Sequence, residues 1–162
     1  GEIYDANKIE YPDSLKYKTS GGRTVYGGGG IVPDVFIAPD TSGNSRYFAS
    51  LASKDIFRGF AYSYTDEHDE IGKRFANSKS FIEGYAISEA LVNEFTAYAE
   101  AHGVNFDQNG FDRSERHIRN RIKAYMGRKL FQDDGFFPVF HKEDNVIQRA
   151  IKLMPDARKM IK

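Results

Sequence analysis

Residues 113–129 hold the densest chemistry in the chain. Arg113, Arg116, Arg119, Arg121, Lys123, Arg128 and Lys129, set against the single carboxylate Glu115, leave a local charge of +6. A basic helix of this kind can neutralise phosphates. Arg119 and Arg121 fall on different helix faces, however, and Ile118, Ile122, Tyr125, Met126 and Leu130 lay an apolar stripe through the same segment. The chain as a whole is neutral, so it exerts no global pull on a polyanion. The expected use of these cations is pairing with the acidic run Asp66-Glu67-His68-Asp69-Glu70, and nucleic acid is not an expected partner.

That acidic run is also the first place to look for a metal. Neighbouring residues on a helix point to different sides, so at most two or three of its ligands could converge, and no second cluster has ligand spacing. A solvated charged surface is the preferred reading. Asp107-Gln108-Asn109-Gly110 resembles the start of a calcium loop, but its glycine comes at the fourth position where the sixth is needed; a plain turn is expected. Gly22 to Gly27 has the outer spacing of a phosphate-binding loop. The Lys and Ser/Thr that should follow are Gly28 and Gly29, so nothing would reach the phosphates. The four histidines are scattered. No catalytic, cofactor-binding or metal-ligating residue is assigned, and no cofactor is expected.

The elements that carry these groups follow from composition and periodicity. A chain of 162 residues, 40% hydrophobic and 28% charged, is long enough for one ordinary domain with a real core. Thirteen Phe and ten Tyr, with no Trp, predict an aromatic core. With no cysteine, disulfides and thiolate metal sites are excluded. No run approaches 18 apolar residues, so no membrane span is expected.

Helical periodicity begins after the loop Pro39–Asn44. Tyr47, Phe48 and Leu51 mark one helix; Ile56, Phe57, Phe60, Ala61 and Tyr64 mark a second, with Asp55 at its start; Ile71 and Phe75 mark a further piece. Residues 77–85 read as a connector. Ser88 and Glu89 open a helix with Leu91, Val92, Phe95, Tyr98 and Ala99 on one face, closed at Gly103. Residues 104–111 read as a loop, and Asp112 with Glu115 as the capping box of the basic helix. The pattern breaks over 132–138. A last helix holds Val146, Ile147, Ala150, Ile151 and Met154 and is expected to end at Pro155.

The N-terminal quarter reads differently. Alternating residues flank Gly21-Gly22, with Leu15, Tyr17 and Thr19 facing one way, a hairpin pattern. Four glycines, Gly27 to Gly30, then lead into Ile31-Val32-Pro33-Asp34 and an apolar strand, Val35 to Ala38. The ordered set Thr19-Ser20-Gly21-Gly22-Arg23-Thr24-Val25-Tyr26, then Gly30-Ile31-Val32-Pro33-Asp34, resembles the segment that closes the protease core of the carboxy-terminal processing peptidases, the tail-specific serine proteases. Ser20 stands where that family has Pro, and the glycine run is one residue longer. The match covers residues 15–37.

In that family the nucleophilic Ser and the basic Lys of a Gly-Lys-Gly turn lie upstream of this hairpin. A lysine serves as base only where its surroundings lower its pKa. Neither turn occurs in this chain, which begins at Gly1 without an initiator Met. The resemblance therefore implies the C-terminal, non-catalytic portion of a longer peptidase, in the periplasm or cell envelope. Residues 1–40 would be the tail of the protease core and 41–162 a helical C-terminal domain. The fold class expected is α+β, mainly α, with about five helices. Implied partners are the rest of the parent protease, its protein or peptide substrate, and a second copy in a homo-oligomer. The alternative is a free-standing helical interaction module that shares the hairpin.

Overall fold

The computed structural model describes residues 13–22, 24–27 and 35–160. Among them the fold is α+β and mainly α, one two-stranded ribbon followed by seven helices. Asp40–Gln148 forms one compact unit, and the residues on either side of it belong to a second.

In the ribbon, β1 (Lys16–Lys18) pairs antiparallel with β2 (Thr24–Tyr26), Lys16 opposite Tyr26 and Lys18 opposite Thr24. The connection is longer than the expected two-glycine loop. The chain turns over Thr19–Gly22, where the Gly22 N–H donates to the Thr19 carbonyl at 2.9 Å. Gly22 takes φ +79°, a conformation that lacks the Cβ penalty only in glycine. The expected sidedness is absent, since all of β1 is exposed and Tyr17 keeps 57% of its surface. Val35 to Ala38 is irregular chain and not a strand, because the sheet has two strands only among the described residues. Arg23, Gly28 to Gly30 and Ile31 to Asp34 lie outside the described residues.

Within Asp40–Gln148 the helices are α1 (Arg46–Ser53), α2 (Ile56–Glu67), α3 (Asp69–Arg74), α4 (Ser78–Gly84), α5 (Glu89–Ala101) and α6 (Gln108–Phe140). Polar side chains start most of them. Ser45 Oγ accepts from Phe48 N, and Ser88 Oγ from Leu91 N at 3.2 Å. Residues 77–85, read above as a connector, hold α4: Asn77 Oδ1 accepts from Ser80 N at 2.9 Å and Ser80 Oγ from Asn77 N at 3.3 Å. That reciprocal pair satisfies two helix-start donors and makes a helix of a short segment.

Two expected caps move. Asp55 does sit at the start of α2, but at φ 58°, and its carboxylate binds Arg58 instead of the backbone. The basic helix starts five residues earlier than Asp112. Asp107 Oδ1 accepts from Gly110 N at 3.1 Å, so 108–111 are its first turn, neither loop nor plain turn. Asp112 instead accepts from Gln108 Nε2 at 2.6 Å, and Glu115 pairs with Arg119 at 2.8 Å.

α6 organises the core. α1, α2 and α4 pack on it, and Phe81, Phe95, Leu51, Leu91, Ile118, Ile122 and Met126 are fully enclosed. Stacked and edge-on rings fill the layer between α2 and α5, with Phe57 and Phe95 centroids 5.4 Å apart. The break expected over 132–138 is sharp but confined to its start, since residues 133–138 are helical. Phe131 and Gln132 leave helical geometry, Gln132 at φ 55° and ψ −139°, and the chain folds back on itself. Gly127 and Gly135 meet backbone to backbone where the two limbs cross: a Cβ on Gly127 would lie 2.8 Å from the Gly135 carbonyl carbon. Any side chain there would hold the limbs apart. The return limb buries Phe136 and Val139 against Ala124.

The last helix, α7 (Asn145–Met160), runs through Pro155 and does not stop there. Proline removes one N–H, but residues 151 and 155 are both exposed, so water can serve the carbonyl that loses its donor.

Candidate functional site

The cations of α6 were the strongest candidate, and the structure shows how they are used. Arg113 Nε donates to the Ser42 carbonyl at 2.9 Å. Arg116 pairs with Glu143 at 2.6 Å, and Arg119 with Glu89 at 2.5 Å and Glu115 at 2.8 Å. Arg128 reaches Asp133 at 3.1 Å across the fold-back. Arg121 lies 4.3 Å from the centre of the Phe140 ring, a cation–π contact, and burial pushes its pKa down. Of the seven, only Lys129 meets the acidic run, at Asp66, 2.8 Å away. The expected pairing is therefore mostly replaced by partners that the tertiary fold brings in: loop carbonyls, α5 and the return limb. The cations tie elements together.

Lys123 has the environment nearest to that of a catalytic lysine. Burial lowers its pKa, and repulsion from Lys142 lowers it further. Yet its Nζ donates to the carbonyls of Ile82 at 2.7 Å and Tyr85 at 2.5 Å. Two carbonyls aimed at an ammonium hold the proton on it, so Lys123 is suited to closing the end of α4 and not to accepting a proton. The signal for this role was absent from the sequence, since residues 82 and 85 contribute only backbone.

Beyond Asp66, three members of the acidic run have local partners. Asp69 binds Lys73, Glu67 accepts from Ser63 Oγ at 2.9 Å, and His68 Nδ1 lies 2.9 Å from the Tyr64 carbonyl. Among the described residues no three His, Asp or Glu side chains group to hold a metal. Ser114, fully buried, does what sequence reading missed. Its hydroxyl donates to the Gly43 carbonyl at 2.6 Å and accepts from Ser45 N at 3.2 Å, stapling the 42–45 loop to α6.

The described residues also form concavities. One, of about 280 Å³, lies beside α1 and the 103–107 loop and is lined by Arg46, Tyr47, Lys54 and Asp107 among others. Tyr47 is 3% exposed and its hydroxyl has no hydrogen-bond partner. Burial, with Glu100 and Asp107 nearby, pushes that phenol up to about 12. Another, about 460 Å³, is a groove between α4 and the return limb of α6. Ile82, Phe137 and Pro138 are its apolar residues, and Glu83, Asp133, Asp134 and Lys79 its charged ones. Phe137 keeps 43% of its surface in solvent. No helix among the described residues is long and apolar enough to cross a membrane.

A helical domain with an internally paired basic helix and an open apolar groove is the class that fold and surface define. Residues 47–133, more than half of the chain, match a family model described as a family of unknown function, DUF8443, and the chain belongs to that family. No curated protein and no solved structure matches it.

Proposed function

We propose that this chain is the C-terminal, non-catalytic portion of a carboxy-terminal processing serine peptidase of the periplasm or cell envelope. In this reading the ribbon completes a sheet of the protease core. The helical unit covers that core, positions substrate or supplies an oligomer contact. The observation that carries the reading is the ordered set Gly22-Arg23, Gly30-Ile31 and Pro33-Asp34 placed directly ahead of a helical domain. Further support comes from the ribbon, whose two strands have only each other as neighbours among the described residues. A two-stranded ribbon is marginal alone, and its outer edges keep unpaired donors and acceptors. Nucleic acid has no part in this reading, since the α6 cations already have partners within the chain.

The test is the parent reading frame. A Ser-bearing small-residue turn and a Gly-Lys-Gly turn encoded upstream of residue 1 are the expected result. An upstream frame containing neither overturns the reading. The chain alone should not hydrolyse casein or a C-terminally tagged peptide, and turnover that tracks the chain through repurification would also overturn it.

A second reading, a free-standing helical interaction module, has its own support: the family match covers helical residues only and leaves the ribbon out.

A further inference from the structure

Among the described residues, α7 and the α4–α6 groove are exposed surfaces of opposite character. The first is α7. Val146, Ile147, Ala150, Ile151, Met154 and Ala157 recur at helical spacing along one face. None of the helix is buried among its described residues, and Val146, Ile151 and Met154 keep 37%, 58% and 57% of their surface in solvent. Arg149 lies beside this face, and Arg158 continues the stripe of Ile147, Ile151 and Met154 at its C-terminal end. Lys152 and Lys159 add to a positive helix whose one acid, Asp156, is held by Lys159 at 2.8 Å. The second surface is the α4–α6 groove, apolar at Ile82, Phe137 and Pro138, with Glu83 on α4 and Asp133 and Asp134 on α6. Lys79 is the only cation in its described lining, and Asp133 is already held by Arg128, which leaves Glu83 and Asp134 to face an occupant.

We infer that the chain forms a reciprocal dimer in which α7 of each copy lays its apolar face in the α4–α6 groove of the other. An amphipathic helix in an apolar groove is a recurrent mode of recognition, read through anchors spaced three and four residues apart. Charge selects the occupant. A positive helix, with Arg149 beside its apolar face and Arg158 at the end of it, fits a groove with carboxylates on both walls, whereas two α7 helices packed on each other would set like charges together. Both halves of the match lie on one chain whose net charge is zero, so a second copy supplies what each copy lacks. Exchange in both directions is isologous, each copy giving and receiving the same pair of surfaces. It also covers apolar side chains that soluble chains seldom leave exposed as a set. Peptidase parentage is not needed for any of this.

The experiment uses the full chain in sedimentation equilibrium and light scattering, up to about 100 µM at physiological salt. A concentration-dependent dimer is expected. Ile151→Asp and Phe137→Asp, both at exposed positions, should each weaken it about tenfold or more. Arg149→Glu with Arg158→Glu makes one charge-reversed protein; Glu83→Arg with Asp134→Arg makes another. Each should dimerise poorly alone, and mixing them should restore the dimer, because both contacts then join opposite charges. Circular dichroism checks that every variant stays folded. A monomer throughout the range overturns the inference, as does a dimer indifferent to Ile151→Asp and Phe137→Asp or a mixture that fails to recover. So does α7-dependent binding to phosphatidylglycerol vesicles without self-association, which would make the helix a membrane-surface element.

Discussion

Replacing Gly127 with alanine puts a methyl group where the return limb of α6 crosses the main limb. The new Cβ would sit 2.8 Å from the Gly135 carbonyl carbon and 3.3 Å from its Cα, and backbone cannot swing aside as a long side chain can. Relief requires the limbs to separate, which loosens Phe136 and Val139, now 6% and 2% exposed. Overpacking of this kind costs about 1–3 kcal/mol. Full exposure of those two side chains would cost about 3–6 kcal/mol, an upper limit because separation is partial. Alanine regains about 1 kcal/mol as the better helix former. The expected net loss is about 2 kcal/mol, a fall in Tm of about 4–8 °C for a chain of this size. Urea titration and calorimetry measure it. Gly72→Ala in α3 is the control, since its Cβ meets only Leu130 Cδ2, a movable group 3.1 Å away, and with the same helix-forming gain it should be neutral to about 1 kcal/mol more stable. A Gly127→Ala protein as stable as the parent would refute the claim that close backbone contact sets these glycines.

Tyr47→Phe removes a buried hydroxyl that has no partner and should leave stability unchanged or raise it by about 1 kcal/mol, read as a higher urea midpoint. Tyr47 and Tyr85 are both pushed up to about 12, mainly by burial, so the folded chain holds protons that the unfolded chain releases near pH 10. Their contribution is complete below pH 10 and is lost as pH rises to about 12, so denaturation midpoints should fall across that window, less steeply in Tyr47→Phe. Gln132→Gly relieves a side chain at φ 55° and ψ −139° and should raise stability by about 1 kcal/mol, an effect absent from Gln132→Ala.

Some of this protein is legible in local pattern. Tyr47, Leu51, Phe57, Phe60, Leu91, Phe95, Ile118 and Ile122 repeat at helical spacing, and all are core. Burial of one face imposes that period on any helix lying on a core, so composition and spacing suffice to read a mainly helical fold. Ser88 before α5 and Gly103 after it were readable for the same reason, because caps act within a few residues of themselves. Elsewhere the local pattern misleads. Asp112 with Glu115 reads as a capping box although the helix is capped by Asp107, and Pro155 looks like an end although α7 runs through it. The partners of the basic helix were decided only by the tertiary structure. Glu143, Glu89 and the carbonyls of Ser42, Ile82 and Tyr85 are 27 to 71 residues from the cations they meet, and backbone carbonyls leave no trace in residue type. The fold-back at Gln132 was decided there too: Gly127 and Gly135 matter because their backbones touch, and a contact between two surfaces exists only once both are in place.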